Sequence, residues 1–113
     1  MGLARRTELQ VELETLLANL NDSRIVEASE HVSFQPDEAS VLKYPHIVYS
    51  RDPAYIAKAD NIVYRHMDHY VVTYIDRKPD NPVLDILVRR LYCSHSASFV
   101  ADGLHHDVFD LYH

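Results

Sequence analysis

Apolar positions recur along the first part of the chain at helical spacing. Leu9, Leu13, Leu16, Leu17 and Leu20 fall on one stripe, which predicts an amphipathic helix over Glu8 to Leu20. Thr7 and Gln10 match a capping box, in which each side chain would satisfy an amide left open by the first turn. Asn21-Asp22 favour a turn and should end the helix. The pattern then changes to alternation. His31-Val32-Ser33-Phe34 reads as a short strand, and Gln35-Pro36-Asp37-Glu38 ends it. Tyr44 to Tyr49 is a second strand, with Pro45 confined to its start or to an edge because it has no amide to donate. Arg51 to Asn61 reads as a loop of small and charged residues. The longest strand signal spans Ile62 to Asp76, where Tyr70, Val72 and Tyr74 alternate with Val71, Thr73 and Ile75. Both sets are apolar enough for a central strand, or for one whose outer face meets another subunit.

Lys78-Pro79-Asp80-Asn81-Pro82 punctuates the chain. Asn81 can cap a second helix, and Pro82 suits its first position, where a missing amide costs nothing. Val83, Leu84, Leu87, Val88 and Leu91 are then expected to face the core, with Arg89 and Arg90 complementing the helix dipole. Ala97–Ala101 and Leu104–Tyr112 flank Asp102-Gly103, a hairpin signal because both central residues of a tight turn need positive φ. The elements predict an α+β fold: a mainly antiparallel sheet of about five strands with two helices packed on one face. The 113 residues fit a single domain, 1–113.

Composition narrows the function classes. Hydrophobic content of 47% and charged content of 25% are ordinary for a globular domain. No apolar run approaches the ~18 residues of a membrane span, so no membrane role is expected. Eleven Lys and Arg against 17 Asp and Glu give a net charge of −6, which opposes tight binding to phosphate backbones. Cys93 is the single cysteine, which rules out an intrachain disulfide and suits a reducing compartment; a buried, inert thiol is its expected state.

Eight histidines raise the question of a metal: His31, His46, His66, His69, His95, His105, His106 and His113. Spacing argues against one. Residues three apart, or adjacent, on a strand point to opposite faces, as His66 with His69 and His105 with His106 would. A fold could bring His69, His106 and Asp107 together as metal ligands, but the sequence gives no direct sign of it. Asp107 and Asp110 are likewise three apart and cannot act as a carboxylate pair. There is no Gly-x-Ser-x-Gly elbow, and the two glycines, Gly2 and Gly103, cannot build a phosphate-cradling loop. The expectation is no catalytic residues, no cofactor and no metal. Eight tyrosines supply apolar area with a polar tip; most suit the sheet, whereas Tyr55 lies in the loop and reads as a contact residue.

Phe34-Gln35-Pro36, Tyr44-Pro45-His46-Ile47-Val48-Tyr49, Ala59-Asp60-Asn61, Tyr70 to Asp76, and Asp102-Gly103-Leu104-His105-His106-Asp107-Val108-Phe109 together resemble small tail proteins of siphophages and prophages. These are the tail-completion, minor-capsid-type or tail-terminator proteins, and the pieces span about two thirds of the chain. The resemblance implies an α+β subunit of a homo-oligomeric, hexameric ring in the virion, at the head-proximal end of the tail, assembled in the host cytoplasm. Such a ring caps the tail tube protein, ends its polymerisation and meets a head-tail connector or stopper protein. DNA would pass through its lumen without specific binding, and lumen acids would repel it. A ring needs two different patches on each subunit. The loop residues Arg51, Asp52, Tyr55, Lys58 and Asp60 are the expected subunit interface. Two other readings stay open: a neck or head-completion connector, and a small metal-dependent hydrolase.

Overall fold

The computed structural model describes residues 2–37, 40–52 and 67–113. Helix α1 spans Gly2–Ala18 and buries Leu9, Leu13 and Leu17 completely, with Leu16 and Leu20 partly covered. Full burial of each leucine contributes roughly 1.5–3 kcal/mol relative to exposure. The helix begins a full turn earlier than the capping box predicts, because Leu3-Ala4-Arg5-Arg6 are all good helix formers. Thr7 therefore sits inside the helix, and the Gln10 amide turns away from the helix end. Gln10 donates to Glu14 at 2.7 Å and accepts a short hydrogen bond from the buried Tyr49 hydroxyl.

A 3-10 turn over Ala28–His31 leads into β1 (Val32–Phe34). β2 is His46–Arg51, β3 is His69–Asp76, α2 is Pro82–Leu87, β4 is Cys93–Ala101 and β5 is Leu104–Tyr112. The five strands form one mixed, mostly antiparallel sheet in the order β1-β2-β3-β5-β4, with β1 parallel to β2. Together with the two helices this is an α+β fold. β3 takes the central place that its apolar alternation predicts.

Register fixes the two faces. Val32, Ile47 and Tyr74 lie in one row, Phe34, Tyr49, Val72 and Phe109 in the next, and Tyr70 with Leu111 in a third. These side chains form the core with the α1 leucines and with Val83 and Leu87 of α2, so both helices lie on this face. The opposite face carries Ser33, Val48, Thr73, Val108 and Ala97 in one row and His46, Ile75, His106 and Phe99 in another.

Local chemistry explains the ends of the elements. Asn81 accepts from the amides of Val83 and Leu84 at 2.9 and 3.1 Å, with Pro82 at the first helical position as predicted. The β4–β5 turn places Asp102 at φ 54° and Gly103 at φ 74°, the double positive φ of a tight hairpin.

Several expectations need correction. β3 begins at His69; the segment 62–66 of the predicted long strand lies outside the described residues, as does His66. α2 stops at Leu87, so Val88 and Leu91 do not face the core: they are 43% and 71% exposed. Six residues make less than two turns, and Val83 with Leu87 already fills the inward side. Arg90 does not serve the dipole of α2; it reaches α1 and donates to Glu12 at 3.1 Å. β4 begins four residues before the predicted Ala97, because Ser96 is an extra residue that breaks the alternation between His95 and Ala97.

Candidate functional site

The polar side chains form separate small clusters. On the face away from the helices, the buried His69 donates a ring hydrogen from Nε2 to Asp110 at 2.9 Å, with Asp52 3.8 Å from its other nitrogen. His46 Nδ1 donates to the Lys43 carbonyl at 3.2 Å, and its Nε2 accepts from Ser33 at 2.8 Å. That arrangement needs a neutral ring, and burial pushes the His46 pKa down to match.

On the helix side, Asp107 accepts from Asn81 at 2.6 Å and from the Ser98 hydroxyl, with His95 Nε2 at 3.2 Å. Burial raises the Asp107 pKa, but the hydrogen bonds from Ser98, Asn81 and His95 outweigh it and hold the carboxylate ionised. Ser98, His95 and Asp107 are the residue types of a hydrolytic relay. Their geometry differs, because His95 Nε2 faces both Ser98, at 3.0 Å, and Asp107. A relay needs the hydroxyl on one ring nitrogen and the acid on the other. Ser98 also donates straight to Asp107, which ties up the hydroxyl hydrogen.

Folding does not bring His69, His106 and Asp107 together. His69 pairs with Tyr112 whereas His106 pairs with Ile75, about 20 Å along the sheet. Asp107 points to the other face. Among the described residues, no three His, Cys, Asp or Glu side chains are placed to hold a metal ion. Asp107 and Asp110 lie on opposite faces, as the spacing predicts.

One cleft of about 300 Å³ is lined by Arg24, His31, Leu42, Lys43, Tyr44 and Arg77. Two of its three permanent cations are engaged: Arg24 with Asp22 and Asp76, and Lys43 with Glu30. Arg77 lies 5.9 Å over the Tyr44 ring. A second hollow of similar size between the helices is more apolar, with Leu16, Ile86 and Leu87 in its wall. Cys93 is half-buried rather than buried as expected, and burial pushes its thiol up to about 11.

The surface is where large apolar side chains meet solvent. Phe99 and Val100 on β4 are 49% and 61% exposed, and β4 is exposed from Ser94 to Ala101. Ile86, Val88 and Leu91 form a second exposed set around the end of α2. Sequence periodicity alone assigns none of these to the surface.

Of the expected interface residues, Arg51 is the last residue of β2 rather than a loop residue. Its amide donates to Gln35 at 3.2 Å, and its guanidinium lies 5.9 Å over the Tyr70 ring. The Asp52 amide donates to the His69 carbonyl at 2.9 Å. Tyr55, Lys58 and Asp60 lie outside the described residues. Tyr49, Tyr70, Tyr74 and Tyr112 are buried in the sheet, as expected of most of the tyrosines. No described helix is long and apolar enough to cross a membrane. No protein-family model, curated protein or solved structure matches the chain.

Proposed function

We propose that this chain is a structural subunit of a phage tail-terminator ring, a hexamer that caps the tail tube, ends its polymerisation and offers the surface for head-tail joining. The observation that carries the reading is the contrast between the surface and the polar clusters. Large apolar side chains stand at solvent on α2 and β4, whereas His46, His69 and His95 are each engaged in a separate local cluster. Such a surface suits assembly through contact. The sequence pieces that carry the resemblance supply β2, β3 and most of β5, the three inner strands of the sheet, together with the β4–β5 turn. A cyclic ring needs two different patches per subunit, and the exposed set of Ile86, Val88 and Leu91 around the end of α2 provides one candidate beside Tyr55, Lys58 and Asp60.

The test is tube capping. Purified chain is added to polymerising tail tube protein, and tube lengths and ends are read by negative-stain microscopy. Shortened tubes with a ring at one end are expected. Tubes of unchanged length with bare ends sink the reading. Lys58→Glu should weaken ring closure if the segment around it lies between subunits.

A further inference from the structure

Among the described residues only β5 pairs with β4, so the outer edge of β4 has the properties of a pairing surface, and its sequence is complementary to itself. Cys93–Ala101 contains no Lys, Arg, Asp, Glu or Pro, the residues that usually blunt an exposed strand. The other edge of the sheet is different. β1 is three residues long and is followed by Gln35 at φ 42° and then Pro36, which stop further pairing. A sheet continued from β4 onto the β1 of another copy would gain only a few pairs. Two β4 edges can gain more.

The bulge sets the register. Beyond Ser96, Ala97, Phe99 and Ala101 stand opposite Val108, His106 and Leu104, on the face away from the helices. Ser98 and Val100 stand opposite Asp107 and His105, on the other face. Antiparallel pairing about a two-fold axis at Phe99 sets Ala97 against Ala101 and Ser98 against Val100, so every residue meets one on its own face. It is the one two-fold register that pairs all five residues from 97 to 101. Before the bulge the faces invert, so the match ends at Ser96.

The side chains fit this register. Phe99 meets the second copy's Phe99, and the small Ala97 and Ala101 on either side leave room for both rings. Each Phe99 ring already stacks on its own His106, with centroids 4.6 Å apart and planes 10° apart, so it is held in place with its other side open. Aromatic pairs directly across strands are among the more favourable cross-strand pairs.

We propose that β4 is a homodimerisation edge: residues 97–101 of two copies pair antiparallel about a two-fold axis through Phe99, joining two sheets into one. The contact is isologous and closes at two, so it cannot itself build a cyclic ring. It does not depend on the tail-terminator reading; if rings form, it joins them in pairs.

The test uses the whole chain. Sedimentation over a wide concentration range should show association to twice the 13.1 kDa chain mass, or pairing of rings. Phe99→Lys places two like charges opposite each other and should raise the dissociation constant about tenfold or more. In a Cys93→Ser background, Phe99→Cys should give a disulfide-linked dimer under mild oxidation, because residues directly opposite lie within disulfide reach. Val100→Cys in the same background should cross-link far more slowly, since its counterpart is offset along the strand. Both cysteine variants decide the matter even if Phe99→Lys folds poorly. A monomer at every concentration, association unchanged by Phe99→Lys, or equal cross-linking at positions 99 and 100 overturns the proposal.

Discussion

Arg24 holds the buried carboxylate of Asp76 through two hydrogen bonds, 2.7 and 3.1 Å, from within the loop after α1. The same guanidinium donates to Asp22, so one cation ties that loop to the end of the central strand. Asp76 is only 2% exposed and cannot turn to water when its partner is lost. Arg24→Ala is expected to cost roughly 3 kcal/mol, because it strands a buried charge. Asp22→Ala removes a more exposed acid and should cost about 1 kcal/mol or less. Urea unfolding of both variants checks the order; equal losses would contradict it.

Acid should weaken the fold in two stages. Burial depresses the His46 pKa below its ordinary 6.5, so the unfolded chain takes up a proton there before the folded one does. That contribution is present above 6.5 and is lost as pH falls through the lower folded value. For Asp22, hydrogen bonds from Arg24 hold the pKa at about 2, against 3.8 ordinarily. For Asp76, burial works upward but the Arg24 hydrogen bonds prevail and lower it. Stability from these acids is present above about 4 and lost below it. Denaturation midpoints measured from pH 8 to pH 2 should show both stages, and His46→Gln should flatten the first.

Asn81 joins two jobs in one side chain. Its oxygen caps α2 while its amide nitrogen donates to Asp107 on β5. Asn81→Ala should therefore cost more than an isolated cap, about 2 kcal/mol in place of ~1. Asn81→Asp keeps the cap and sets two carboxylates together, so it should fall below wild type at neutral pH and recover as the pair takes up a proton. A thermal melt at two pH values reads both effects.

The Cys93 thiol should be slow to alkylate. A pKa of about 11 in place of 9.0 lowers the thiolate fraction about a hundredfold near neutral pH. Iodoacetamide followed by intact-mass analysis should leave native protein largely unmodified and label urea-unfolded protein quickly. Rapid labelling of the native chain would show that the thiol is not held in an apolar surround.

Much of this fold is legible in the residues. The leucine stripe, the Asn81-Pro82 start and the Asp102-Gly103 turn each encode a local geometry that the tertiary structure keeps. The start of α1 is less legible, because Thr7 and Gln10 satisfy the capping pattern while better helix formers precede them. The inward face of α2 also misleads: the apolar pattern continues to Leu91, but the helix ends at Leu87 and the later residues turn outward. The candidate surface is harder still. Exposure of Phe99 follows from β4 lying at the edge of the sheet, and strand order is a long-range property that residue spacing does not encode. The histidine pairs likewise depend on register across strands, as with His69 and Asp110, whose partnership no local motif signals.

The strand order has a kinetic consequence. β4 and β5 are joined by a two-residue turn, so their pairing closes a very small loop and can form within ~1–10 μs. β1 is parallel to β2, and its partner can seat only after the intervening chain is looped back, at a higher closure cost. β3 lies between the two halves and pairs with both β2 and β5. The expected order is hairpin first, then β3, then β2 and the β1 edge. Pulse-labelled hydrogen exchange during refolding would show protection spreading in that direction; early protection of Val32–Phe34 would reverse the order. The last strand to join the sheet would then be the first one in the chain.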